Sequence, residues 1–118
     1  MRRRWRLYKT DTGRSPVREY LGDLAADERA EIASAMGLVA AVGLESARHL
    51  RGDVYEVRVA CGGRAFRILF AVEGGKSQIL LAIEAFEKKT RQTPRRHIEL
   101  AERRLDDWRN RARPRSLR

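Results

Sequence analysis

At 118 residues the chain is long enough for one domain with a substantial core and too short for two. No apolar run approaches the roughly 20 residues needed to cross a bilayer, and no continuous apolar segment follows the basic start MRRRWRLYKT, so a cytoplasmic protein with no membrane partner is expected. The single cysteine, Cys61, excludes an intramolecular disulfide, and His49 and His97 make no metal-ligand cluster, so neither metal nor cofactor is expected.

Trp5 to Lys9 reads as a short first strand, followed by a turn from Asp11 to Arg14. Ser15 and Pro16 supply the cap and first position of a short helix, with Val17, Tyr20, Leu21 and Leu24 at helical spacing. Asp27 is expected to cap a second helix whose apolar face is Ile32, Met36, Val39 and Ala40, and Gly43 ends it. The two helices form an antiparallel hairpin that must cover something flat.

Val54 to Cys61, Arg64 to Val72 and Ser77 to Phe86 are three β-rich runs. Gly62-Gly63 and Gly74-Gly75 join them, links short enough to make antiparallel hairpins. In the middle run Phe66, Ile68, Phe70 and Val72 point one way, while Ala65, Arg67 and Leu69 point the other. The first set belongs to the core under the helices, which leaves Arg67 in the centre of the opposite face. A central arginine is paired, here with Glu56 or Glu84, or lies simply on a solvent-facing sheet surface, or lies on a concave sheet face that binds phosphate. Arg58 on the preceding strand has similar standing, since hairpin geometry can bring it near Arg67.

The stretch from Ile79 to Arg96, ILLAIEAFEKKTRQTPRR, fuses a strand end, a basic turn and a helix start. Thr93 is read as the cap and Pro94 as the first position of a last helix running to about Arg109, with Ile98, Ala101, Leu105 and Trp108 as its packing stripe. Lys88, Lys89 and Arg91 gather just past the strand end, where binding groups tend to collect on a rigid scaffold. The net charge of +10 is concentrated at the chain ends: residues 1–14 carry six basic groups against one acid, and residues 91–118 carry ten arginines against four acids. Arginine grips phosphate in bidentate fashion, so this distribution points to a polyanion. The competing reading, arginine from a GC-rich genome in solvated tails, applies best to the final ARPRSLR.

Three segments taken together resemble the RelE/HigB superfamily of bacterial toxins, in its HigB-like, phage-derived-protein-like branch. They are Leu50-Arg51-Gly52-Asp53-Val54-Tyr55-Glu56-Val57-Arg58, Gly63-Arg64-Ala65-Phe66-Arg67-Ile68-Leu69-Phe70 and Phe86-Glu87-Lys88-Lys89-Thr90-Arg91-Gln92-Thr93-Pro94. The resemblance implies an α+β fold: a short N-terminal strand and a helical hairpin packed on a twisted antiparallel sheet of about four strands, with a C-terminal helix beside it. One domain over 1–110 and a basic tail at 111–118 are expected. It also implies a type II toxin that cuts mRNA in the ribosomal A site and inhibits translation, neutralised by a small helix-turn-helix, HigA-like antitoxin. Arg58, Arg67, Lys88 and Lys89 match the family's basic positions. Glu84, Ala85 and Phe86 stand where branch members often have His, Gly and Phe, and Phe66 and Phe70 replace tyrosines.

Metal-free RNA cleavage uses the 2′-hydroxyl as nucleophile on the adjacent phosphate and needs a base, an acid and cations for the developing charge. Arg58, Arg67, Lys88 and Lys89 are the expected cations, and Glu84, at the strand end nearest the lysines, is the expected base unless it merely pairs with Arg67 or Lys88. Arg64, Arg91, Arg95 and Arg96 are expected to contact the RNA backbone. His49 and His97 are expected to lie off the sheet, outside the chemistry. An inactive relative that binds RNA or ribosome without cleaving is the alternative, and a stand-alone nucleic-acid-binding protein is a third reading.

Overall fold

The computed structural model describes residues 3–112. In chain order the elements are β1 (Arg4–Leu7), α1 (Pro16–Gly22), α2 (Ala26–Val42), a single 3-10 turn (Leu44–Ser46), β2 (Arg48–Arg51), β3 (Val54–Cys61), β4 (Arg64–Glu73), β5 (Ile79–Glu87) and α3 (Arg95–Arg111). The strands form one sheet in the order β1-β5-β4-β3-β2. This is the expected α+β architecture with two additions. The first strand joins the sheet in parallel beside β5, and the short β2 extends the other edge, so the sheet is five-stranded and mixed. Most of the basic tail expected at 111–118 lies outside the described residues.

Local chemistry explains most of the boundaries. The Ser15 hydroxyl accepts from the Arg18 amide at 3.4 Å, with Pro16 in the first turn of α1. The second helix starts earlier than expected, at Ala26, with Ala25 in the cap position. Asp27 therefore lies inside the first turn, and Glu28 reaches back to the Ala25 amide at 3.0 Å. Gly62 and Gly63, at φ 58° and 81°, make the two-residue turn between β3 and β4, closed by the Cys61 to Arg64 pairing. The β4–β5 link is longer than a tight Gly-Gly turn: Glu73 pairs with Ile79, leaving residues 74–78 as the loop.

Alternation divides the sheet into two buried faces. Val57, Val59, Phe66, Ile68, Phe70, Leu80, Ala82 and Ala85 pack against Val17, Ile32, Met36 and Val39 of the helical hairpin. On the opposite face, Val54, Leu69, Ala71, Leu81, Ile83 and Phe86 pack with Tyr8, Ala101 and Leu105. The last helix thus lies across the second face rather than beside it. Leu105, 4% exposed, contributes roughly 1.5–3 kcal/mol by burial. Ion pairs from Arg51 to Glu102 (2.7 Å) and from Arg109 to Glu73 (2.7 Å) and Asp53 (2.9 Å) fasten the middle and far end of α3 over the strands.

One irregularity governs the site. The β4–β5 register shifts between Leu69, paired with Glu84, and Phe70, paired with Ala82, so Ile83 is the extra residue of a β-bulge. Without it, Leu81 and residue 83 on the α3 face would be followed there by residues 85 and 87. With it, Ala85 turns to the helical-hairpin core and Phe86 to the α3 face, beside Arg67.

Candidate functional site

Arg67 lies at the centre of β4 and is completely buried. Its Nη1 stands 3.2 Å from Glu56 Oε2, a carboxylate that is itself 1% exposed. The guanidinium also donates to Thr93 Oγ1 through Nη1 and to the Arg91 carbonyl through Nη2 at 2.7 Å. The Thr93 hydroxyl in turn donates to Glu56 Oε2, and Glu56 Oε1 accepts from Arg58 Nε at 2.9 Å. Of the possibilities for a central arginine, pairing with Glu56 is the one realised. Arg67 faces no open surface, because α3 and the turn before it cover that side of the sheet.

Thr93 is therefore not the helix cap. Pro94 occupies the cap position without a side-chain bond, and the Thr93 hydroxyl bridges the two buried charges. A buried ion pair needs its remaining lone pairs and protons satisfied, and that demand outweighs one exposed helix amide. Burial pulls the Arg67 guanidinium below its ordinary value; Glu56 opposes this, while Arg58 and Arg48 add to it. Arg48 stands opposite Glu56 in the β2–β3 ladder. Sequence reasoning missed it, since a four-residue strand with an irregular register leaves no alternation to read.

The consequence for the turn is mechanical. Its Arg91 carbonyl and Thr93 hydroxyl are both held from below by Arg67, while the Lys88 amide extends the β5 ladder by donating to Ala65 O at 2.7 Å. The segment is pinned at both ends. Along it, Lys89, Arg91, Arg95 and Arg96 are exposed and Lys88 is half-buried. Lys89 lies 3.6 Å from Glu87 with its side chain 76% exposed, an arrangement of little energetic weight. Lys88, Arg91, Arg95 and Arg96 have no carboxylate partner among the described residues. The first turn of α3 holds no acidic residue and no side-chain cap, so its amides and two arginines together form an anion-attracting end.

Not every expected RNA contact belongs to this cluster. Arg64 sits on the helical-hairpin side, where it bridges Glu28 (2.8 Å) and Glu87 (2.9 Å) and lies over the Phe66 ring. Those carboxylates, Glu87 foremost, raise its pKa and commit the guanidinium to tying α2 to β5. Arg58 keeps a side chain 42% exposed and stands beside Arg67 in the ladder, at the near edge of the cluster.

Glu84 is paired, but with neither Arg67 nor Lys88. Its Oε2 lies 2.8 Å from His97 Nδ1, and its Oε1 accepts from Arg104 Nη1 at 3.2 Å and from the Ala85 amide at 3.0 Å. The His97 ring stacks on Phe86, with centroids 3.7 Å apart and planes 1° from parallel. His97 is thus built into the second face of the sheet rather than standing off it. His49 is also on the sheet, in the edge strand β2, where Nε2 meets Gly52 O at 2.8 Å. A spacing of 13 residues across a turn carries no periodic signal, which is why the Glu84–His97 pair was not legible in the sequence.

Among the described residues no three His, Cys, Asp or Glu side chains gather as a possible metal site. Burial and the nearby Asp27 push the Cys61 thiol up, away from its nucleophilic form. No helix among the described residues is long and apolar enough to cross a membrane. The site can therefore offer a pinned cationic turn, an uncapped helix start and a carboxylate-bound imidazole on one face.

Comparison with curated proteins returns no match. The sequence model of the phage-derived protein Gp49-like family (DUF891) matches residues 19–106, from within α1 to within α3 and including every strand of the site. The chain belongs to this Gp49-like, RelE/toxin-like family.

Proposed function

We propose that this protein is the toxin of a type II toxin–antitoxin pair, a metal-independent, HigB-like endoribonuclease that cuts mRNA on the ribosome and so inhibits translation in the cytoplasm. The observation that carries the reading is the pinned turn from Lys88 to Arg96. Its Lys88, Arg91, Arg95 and Arg96 lack carboxylate partners among the described residues and Lys89 has only an exposed contact with Glu87, while Arg51, Arg67, Arg104 and Arg109 elsewhere on the second face are tied to acids or carbonyls. Such a strip suits a phosphodiester whose charge grows in the transition state. The ribosome then supplies substrate orientation, which a small open site cannot provide alone.

In this reading Lys88 and Lys89 stabilise the developing phosphorane, Arg58 reaches the site from the β3 edge, and Arg91, Arg95 and Arg96 hold neighbouring phosphates. Arg67 is a positioning residue for the turn. The antitoxin, a small helix-turn-helix protein, silences the site by covering this strip or by making the complex too bulky for the A site. The burial of Arg67 favours one competing reading, an inactive relative that binds RNA or ribosome without cleaving, because it removes a cation from the exposed face.

Inducible expression of wild type beside the Lys88→Ala/Lys89→Ala variant, with mapping of mRNA 5′ ends, separates the two. Growth arrest and new ends inside translated frames, both abolished in the double variant, are expected. Soluble wild-type protein that binds ribosomes yet creates no new ends would establish the inactive relative.

A further inference from the structure

Cations alone leave the cleavage reaction without a proton acceptor for the 2′-hydroxyl. We propose that His97 Nε2 is that acceptor, held in its reactive tautomer by Glu84; the inference rests on the endoribonuclease reading above. An ionised carboxylate only accepts hydrogen bonds, so at 2.8 Å from Glu84 Oε2 the Nδ1 atom of His97 must carry the proton. In the neutral ring that leaves the lone pair on Nε2. Nε2 makes no hydrogen bond among the described residues and is not sealed from solvent, since Arg67 Nε is the one partnerless polar side-chain atom that is. The ring cannot swing away, because its face lies flat on Phe86.

Five other candidate bases on or beside the sheet are occupied. Glu84 has Oε1 taken by Arg104 and the Ala85 amide and Oε2 by His97, and is 8% exposed. Glu87 is bound by Arg64 and Lys89, which hold its carboxyl below the usual range. Glu56 is sealed beneath Arg67 and Thr93. His49 Nε2 meets a carbonyl on the far edge strand, and the Tyr8 hydroxyl is donated to Asp107 at 2.6 Å. His97 stands in the first turn of α3, two residues past Arg95 and one past Arg96, where the uncapped amides also attract phosphate.

The step balances without a co-reactant. The His97 Nε2 lone pair takes the 2′-hydroxyl proton as the 2′-oxygen bonds to phosphorus. The bond from phosphorus to the 5′-oxygen breaks, leaving a 2′,3′-cyclic phosphate, and the departing oxygen takes a proton from the Lys88 ammonium. Water exchange then returns His97 and Lys88 to their starting states. Glu84 is a positioning residue in this scheme.

The test uses the full chain and a short mRNA loaded on ribosomes. His97→Asn keeps a side-chain N–H for Glu84 and removes Nε2. Cleavage is expected to fall about 10²- to 10⁴-fold, the usual weight of a general base, with ribosome binding unchanged. His97→Ala is expected to regain part of its activity in added imidazole, which a packing defect would not. Should either variant fail to fold, carbethoxylation of the His49→Asn protein leaves His97 as the single imidazole to react, and loss of cleavage that tracks the imidazole adduct and is reversed by hydroxylamine is expected. Wild-type rates in His97→Asn, or activity that survives complete carbethoxylation, overturn the proposal and leave the nuclease reading standing. Wild-type protein that cleaves nothing overturns both.

Discussion

Glu56→Ala tests the account of Arg67 most directly. The substitution deletes the carboxylate facing Arg67 at 3.2 Å and leaves a guanidinium with no solvent exposure bonded only to Thr93 Oγ1 and the Arg91 carbonyl. Arg58 loses its partner as well, and Arg48 stands opposite the vacated position, so three cations surround the gap. Removing one member of a buried pair costs about 3–5 kcal/mol, a large part of a small domain's stability. The thermal midpoint is expected to drop by roughly 15 °C. Arg58→Ala, which breaks the half-exposed end of the same network, is expected to cost about 1 kcal/mol or less. Replacing both charges, Glu56→Leu with Arg67→Met, is expected to recover most of the stability, since apolar side chains of similar volume need no partners. Urea denaturation followed by helical circular dichroism gives the three differences. A loss below about 1 kcal/mol in Glu56→Ala, or a double variant no more stable than the single, would refute the buried lock.

Gly62→Ala and Gly63→Ala are each expected to cost about 1–2 kcal/mol in the same denaturation experiment, because beyond the adjoining residues no atom lies within 4 Å of either added methyl and the penalty is that of a left-handed backbone. Arg95→Gln/Arg96→Gln is expected to leave stability within about 0.5 kcal/mol. The slope of log affinity for single-stranded RNA against log salt is expected to become shallower by about 0.7 for each phosphate that the variant no longer neutralises. Hydrogen bonds from Arg111 (2.7 Å) and Tyr8 (2.6 Å) hold the Asp107 carboxyl below its ordinary value. In acid the unfolded chain then takes up that proton first, so this contribution is complete above about pH 4 and disappears as pH falls through the lower folded value. Protection of the amides in the last turns of α3, taken relative to intrinsic exchange at each pH, is expected to fall there, and to do so less in Asp107→Asn.

What the chain itself determines is whatever depends on neighbours in sequence. Ser15-Pro16 opens α1, Gly43 ends α2, Gly62-Gly63 closes a hairpin, and alternation from Phe66 to Leu69 assigns both faces of β4. The apolar stripe of α3 and the cationic turn before it follow from the same local rules, and so does the family resemblance that the Gp49-like match supports. Only tertiary structure decided what each polar group does. The bulge at Ile83 depends on how β5 aligns with β4, and it alone turns Phe86 onto the α3 face. Thr93 gave up a helix cap because a buried carboxylate and guanidinium stood beneath it. Glu84 found His97 and Arg104 because α3 crosses the face expected to be open. Hydrogen bonding between residues far apart in the chain depends on distances that packing sets, and packing is a property of the whole fold.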